Sequence, residues 1–219
     1  MKDQHRGNTV IEAVSKLSNV VLVNLAFLIT CFPVFTYGAA KTALYACSFR
    51  WASNDDAGIK DFIKAFKMNF VSGIKAGLVF LLCTVIIAAD FIFSFSDKGN
   101  SVLKIISVVI ILNYVPYVEQ VFMCNSRFFC STTELFSNGV LIVLGNYVKS
   151  ILVGIIQAIP WIVFLINPFV FWKISAVWIL IYFALSAWIS ALIMKKTYKQ
   201  IAENHNECET EVGLQERNL

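Results

Sequence analysis

Phe32-Pro33-Val34-Phe35-Thr36-Tyr37-Gly38-Ala39-Ala40-Lys41-Thr42-Ala43-Leu44-Tyr45 is the stretch whose reading decides the topology of the chain. Pro33 removes a backbone donor and Gly38 supplies a residue at which a helix can stop, so the first long apolar segment should end here. A second run, rich in Ala and aromatics, follows from Ala39 to Trp51 with Lys41 near its start. About 13 residues is short for a crossing, since a ~30 Å hydrocarbon core takes about 20 helical residues. Length alone therefore favours a re-entrant or interfacial segment, and five membrane spans in the whole chain. The basic residues say otherwise.

Working outward, 58% of the 219 residues are apolar and only 15% are charged. The charges crowd into short intervals between apolar runs of bilayer length, the signature of an all-α, polytopic membrane protein rather than a soluble domain. Spans are expected at about residues 17–36, 71–95, 102–123, 147–169 and 172–194, with 39–51 as the contested sixth. With five spans, six of the 18 Lys and Arg lie on the side of the N-terminus and twelve on the other. With six, fourteen share the side of both termini, leaving only Lys41, Lys98, Lys104 and Lys173 opposite. The positive-inside rule prefers the second arrangement, with both termini cytoplasmic. Tyr37 and Tyr45 would then lie near interfaces, and Lys41 would snorkel.

Between the second and third spans, Ile59, Phe62, Ile63, Phe66 and Phe70 form one helical stripe, with Lys60, Asp61, Lys64 and Lys67 opposite. Phe facing Lys is the pattern of an amphipathic helix in the headgroup plane over residues 59–70, or of one packed on the end of the bundle. Gly73 and Gly77 would let another helix approach the next span closely. Residues 124–145 read as a more polar link. The tail 197–219, rich in Glu, is expected to be largely disordered. Asn69-Phe70, Ile74 and Gly77 recur as Asn146-Tyr147, Ile151 and Gly154 at one constant offset, either an internal repeat or a coincidence of common boundary residues.

No catalytic, cofactor or metal site is expected. The six cysteines are spread singly, five of them in or beside apolar segments where Cys acts as a small hydrophobe, and His5 and His205 lie in polar tails. The first 16 residues are polar and no small-x-small site follows, so no cleavable leader is expected. A net charge of +4, placed in loops, fits orientation in a lipid bilayer and not nucleic-acid binding. Polar residues inside spans are costly and mark interfaces or pathways, which singles out Asn24, Asp90, Asn113 and Glu119, along with Thr36 and Gln157. Asp90 and Glu119 lie near expected span ends, where reaching headgroups is an equal reading.

Pro33, Thr36, Gly38, Ala39, Ala40, Thr42, Ala43, Leu44 and Tyr45, followed by Asp61, Phe62, Phe66, Asn69 and Phe70, form a pattern that resembles the YesL-like family of bacterial integral membrane proteins. The resemblance covers about residues 17–77. It implies a multi-span protein often encoded beside sugar ABC transporters and polysaccharide-degrading enzymes, with no catalytic residue to carry over. The expected function is an accessory or transport-related component of carbohydrate uptake, with a sugar ABC transporter or other membrane protein as partner. The alternative is a membrane-anchored interaction or signalling protein that uses its cytoplasmic face.

Overall fold

A computed structural model describes the backbone of residues 2–96, 100–128 and 130–216, and the side chains of 15–96, 100–128 and 130–203. The expectations for the turn at Lys98 and for the side chains of Lys2, His5, Arg6, His205 and Cys208 lie outside the described residues. Those described are helical, with no strand among them. Helix α1 spans Lys2–Cys31, and a single 3-10 turn at Val34–Thr36 leads into α2, Tyr37–Ala52. Then come α3 (Ile59–Met68), α4 (Phe70–Ser94), α5 (Ser101–Arg127), α6 (Thr132–Gly145) and α7 (Tyr147–Ile166). Two short helices, α8 (Pro168–Lys173) and α9 (Ser175–Val177), precede a π-turn at Trp178–Tyr182 and the long α10, Phe183–Glu216.

Among the described residues, four segments are long and apolar enough to cross a membrane: Phe70–Ser94, Ser101–Arg127, Tyr147–Ile166 and Ser175–Glu203. Ser15–Cys31 and Thr132–Gly145 are apolar but shorter. The helix α2 occupies the middle of the bundle, against α1, α4, α5 and α10, and thirteen of its sixteen residues are buried. That corrects the expectation of a surface segment drawn from its length. The sequence of α2 permits the central position because Gly38, Ala39, Ala40 and Ala43 are small, so neighbouring helices can come close to its backbone.

The contact with α4 is the closest. A Cβ on Gly38 would lie 2.1 Å from the Gly73 carbonyl oxygen and 2.9 Å from Gly77 Cα, and one on Gly73 would lie 2.5 Å from Ala39 Cα. Glycine at these positions is a requirement of packing.

The first apolar helix stops at Cys31, short of the expected Thr36, because Pro33 cannot donate to a continuing helix. The expected link at 124–145 is instead the end of α5 plus a second helix, α6. Ser131 starts α6, its Oγ accepting from the Glu134 N–H while the Glu134 carboxylate accepts from the Ser131 N–H. The expected last span, 172–194, starts instead at Ser175, because α8 ends at Lys173, and it runs on through a π-turn without interruption into α10. The backbone of α10 continues to Glu216. Lys, Gln, Ala and Glu there are good helix formers, and Lys199 pairs with Glu203 one turn on at 3.6 Å.

The recurring residues occupy equivalent places. Asn69 ends α3 and opens α4 as Asn146 ends α6 and opens α7, and each carbonyl accepts from the N–H four residues on. Gly77 packs on Gly38 of the preceding long helix, and Gly154 packs on Pro116 of its own, with added Cβ atoms 3.1 Å and 2.6 Å from their nearest neighbours. Tyr37 and Tyr114, Cys47 and Cys124, and Arg50 and Arg127 share the offset that relates the two Asn residues. The segments α2–α3–α4 and α5–α6–α7 thus share one order, two helices flanking a shorter one, with the third packed on the first at a glycine.

Gly73→Val places a branched side chain into the Ala39 backbone and should cost about 1–3 kcal/mol. Gly145→Ala, where an added Cβ meets nothing within 4 Å, should stay within about 0.5 kcal/mol of the parent. Thermal unfolding in detergent micelles, followed by tryptophan fluorescence, separates the two, and equal midpoints would contradict the close approach.

Candidate functional site

Three helices place polar groups together inside the bundle. Lys41, on the first turns of α2, reaches Glu119 of α5, with Nζ 3.3 Å from Oε1. Both side chains are buried, at 4% and 6% exposure. Lys41 Nζ also donates to Gln157 Oε1 of α7 at 3.1 Å, and the Tyr45 hydroxyl donates to the other oxygen of Glu119 in a short hydrogen bond. The ammonium stands 5.4 Å from the Tyr45 ring centroid, a cation–π contact. Gln157 continues the network into α10, its Nε2 donating to Ser190 Oγ at 3.4 Å.

Removing two charges from water costs several kcal/mol per ion, and the pair recovers this only where each charge keeps hydrogen-bonding partners. Here the carboxylate has Lys41 and Tyr45, and the ammonium has Glu119 and Gln157. From the basic ends of their helices the depths agree. Lys41 lies nine residues before Arg50, Glu119 eight before Arg127, and Gln157 ten after Tyr147. At 1.5 Å per residue each is roughly 12–15 Å along its helix from that end. Lys41 turns into the bundle towards Glu119 and Gln157, and Glu119 lies inside α5 rather than at its end, because that helix runs on to Arg127.

Below this pair the same helices are joined by neutral bonds. Thr42 Oγ1 donates to the Gly38 carbonyl at 2.8 Å and accepts from Asn125 Nδ2 at 3.0 Å, tying α2 to α5. Tyr198 of α10 donates to the side-chain carbonyl of Gln120 at 3.1 Å.

The other sequence-identified residues are dispersed. Fully buried Asn24 clamps the π-turn. Its Nδ2 donates to the Ile179 carbonyl at 2.6 Å and its Oδ1 accepts the Ala184 N–H at 2.8 Å, satisfying groups that the turn takes out of the helical ladder. Thr36 caps the turn after Pro33, its hydroxyl 2.6 Å from the Pro33 carbonyl. Asp90 accepts from Ser107 Oγ at 2.6 Å and links α4 to α5. Exposed Asn113 accepts from the Tyr147 hydroxyl at 3.1 Å.

Ala39 is fully buried against Gly73, Phe62 is fully buried, and Phe66 stacks on Phe62 and meets Phe70 edge-to-face. Asn69 Nδ2 donates to the Ala65 carbonyl at 3.0 Å, and Asn146 Oδ1 accepts from Thr197 Oγ1 at 3.1 Å. Of the four intramembrane candidates only Glu119 reaches the central network. Lys41, Tyr45 and Ser190 are not among the expected site residues; Lys41 carries a signal as a charge inside an otherwise apolar run, Tyr45 only as part of the family-like pattern, and Ser190 none.

At the basic end, Arg50 bridges Asp55 at 2.7 Å and Asp61 at 2.5 Å. The Gly58 N–H, and then the Arg50 guanidinium, hold the Asp61 carboxyl below the usual carboxylate range. This clamp fixes the start of α3 against the end of α2.

No curated protein and no solved structure matches the chain. Over residues 20–91, which run from within α1 to near the end of α4 and include Lys41 and Tyr45 but not Glu119 or Gln157, the chain matches the family profile described as "Protein of unknown function, DUF624", the family associated with YesL-like membrane proteins.

Proposed function

We propose that the protein is a non-enzymatic, transport-related membrane component of carbohydrate uptake or utilisation. The observation that carries the transport part is the Lys41–Glu119 pair, buried between α2 and α5 and extended by Gln157 of α7. A charge pair at that depth is expensive in any membrane protein, and in transporters such groups stand where two helical units meet. Here they join the two repeated units. The carbohydrate part rests on the family resemblance. A strain lacking the protein should grow poorly on a polysaccharide and take up less radiolabelled oligosaccharide, and Glu119→Gln should fail to restore uptake at wild-type expression. Poor growth with unchanged uptake would refute transport.

We further propose six crossings with both termini cytoplasmic. The α1–α2 turn supports this reading, since Phe32, Val34 and Phe35 are exposed there, an apolar tip suited to lipid rather than water. For α3, Ile59, Ile63 and Met68 are exposed beside Lys60, Lys64 and Lys67, which supports a position in the headgroup plane with Phe62 turned into the bundle. In a chain without its native cysteines, Lys98→Cys should react with an impermeant maleimide added outside intact cells, and a cysteine at position 2 should react only after lysis. Labelling of position 2 in intact cells would overturn the topology.

The alternative, a docking face for a partner protein, draws on the same exposed side of α3. Ile63 and Met68 would be its contacts, because Phe62 lies inside.

A further inference from the structure

At the basic end, α2, α3 and the last turn of α5 enclose a cleft of about 260 Å³. It is lined by Arg50, Lys64 and Arg127, with Asn69, Asn125 and Ser126 between them. Asp61 is the one carboxylate in the lining, and it is committed to Arg50 at 2.5 Å and to the Gly58 N–H at 3.0 Å. Among the described residues no carboxylate lies within 4.0 Å of Lys64 or Arg127, so both cations line the cleft without a direct ion-pair partner. Arg127 is also oriented, its guanidinium carbon 5.3 Å from the centroid of the Phe49 ring. Stacking on one face leaves the N–H edge to meet an anion.

The amides supply the complementary half. Asn69 Nδ2 donates to the Ala65 carbonyl and Asn125 Nδ2 to Thr42 Oγ1, so in both it is the carbonyl oxygen that stays available to accept a hydrogen bond. Fixed cations suit a phosphate and amide oxygens suit hydroxyl groups. The volume is several times the ~30 Å³ share of a water molecule, room for a phosphate carrying a few hydroxylated carbons.

We propose that this cleft binds a phosphorylated polyol, with Lys64 and Arg127 on the phosphate and Asn69 and Asn125 on its hydroxyls. The chemistry is shared by a free sugar phosphate and by the glycerol phosphate headgroup of an anionic lipid. The site draws on both repeated units, since Arg50 and Arg127 are equivalent positions. It stands independently of whether the protein transports anything.

The test uses the full chain in phosphatidylcholine nanodiscs, titrated calorimetrically with glucose 6-phosphate and with glucose. A parallel preparation contains phosphatidylglycerol and is read by native mass spectrometry for retained lipid. A free sugar phosphate as ligand gives binding of glucose 6-phosphate but not glucose. A lipid ligand gives retained phosphatidylglycerol without binding of the sugar phosphate. In either case Lys64→Gln and Arg127→Gln should each weaken the interaction about tenfold, the scale of one charge-assisted hydrogen bond. Lys60→Gln, outside the cleft, should leave it unchanged. Lys64 is exposed on α3, so its variant keeps the test independent of folding. Absence of both interactions, or equal affinity in the two cleft variants and the parent, would overturn the proposal.

Discussion

A lysine in the central helix of a membrane bundle must be answered, and Glu119 answers it. An ammonium at that depth without a partner would cost several kcal/mol. Burial of Lys41 therefore fixes the relative placement of α2 and α5, and Gln157 brings α7 to the same point. Tyr45, one turn along α2, takes up the remaining carboxylate oxygen. Apolar packing alone would leave these helices free to slide, because lipid tails are as apolar as their side chains. The charge pair adds a registration that such packing lacks.

For the pair to be buried, α2 must sit in the middle, and small residues make that possible. Gly38 and Ala39 meet Gly73 and Gly77 at backbone distance, so α4 can lie close on one side while α5 and α10 close the others. Gly154 against Pro116 repeats the device in the second unit. Both glycines follow an asparagine that ends one helix and starts the next, so the kink and the close approach come as a set. At the opposite end of α2 the same economy appears in charge. Arg50 spends itself on two aspartates that hold α3, whereas its counterpart Arg127 lies on an aromatic ring with no carboxylate beside it among the described residues.

Much of this was legible in the residues. The helical class, the apolar segments, the Phe and Lys faces of α3 and the use of Gly73 and Gly77 follow from spacing alone. Ser131-Thr132-Thr133-Glu134 spells a capping box, so α6 could have been read where a polar link was expected. The wider set of matched residues, Tyr37 with Tyr114, Cys47 with Cys124 and Arg50 with Arg127, was equally open to inspection. The pairing of Lys41 with Glu119 was not. Periodicity reports which face a residue occupies within one helix, whereas the partner across the bundle depends on packing between segments far apart in the chain. Glu119 looked terminal because hydropathy fades towards Arg127 while the helix does not. The π-turn at Trp178–Tyr182 lies in an unbroken apolar run, and its stabilising partner, Asn24, is 155 residues from Ile179.

The most direct measurement is a double-mutant cycle on the ion pair, by thermal or chemical unfolding in a fixed detergent. Lys41→Met and Glu119→Leu should each destabilise by about 3–5 kcal/mol, because each strands the other charge in the bundle. The double variant should recover most of that loss, with a coupling energy well above the ~0.5 kcal/mol scatter of independent sites. Additive losses in the double variant would contradict a buried Lys41–Glu119 pair as the interaction that registers the fold.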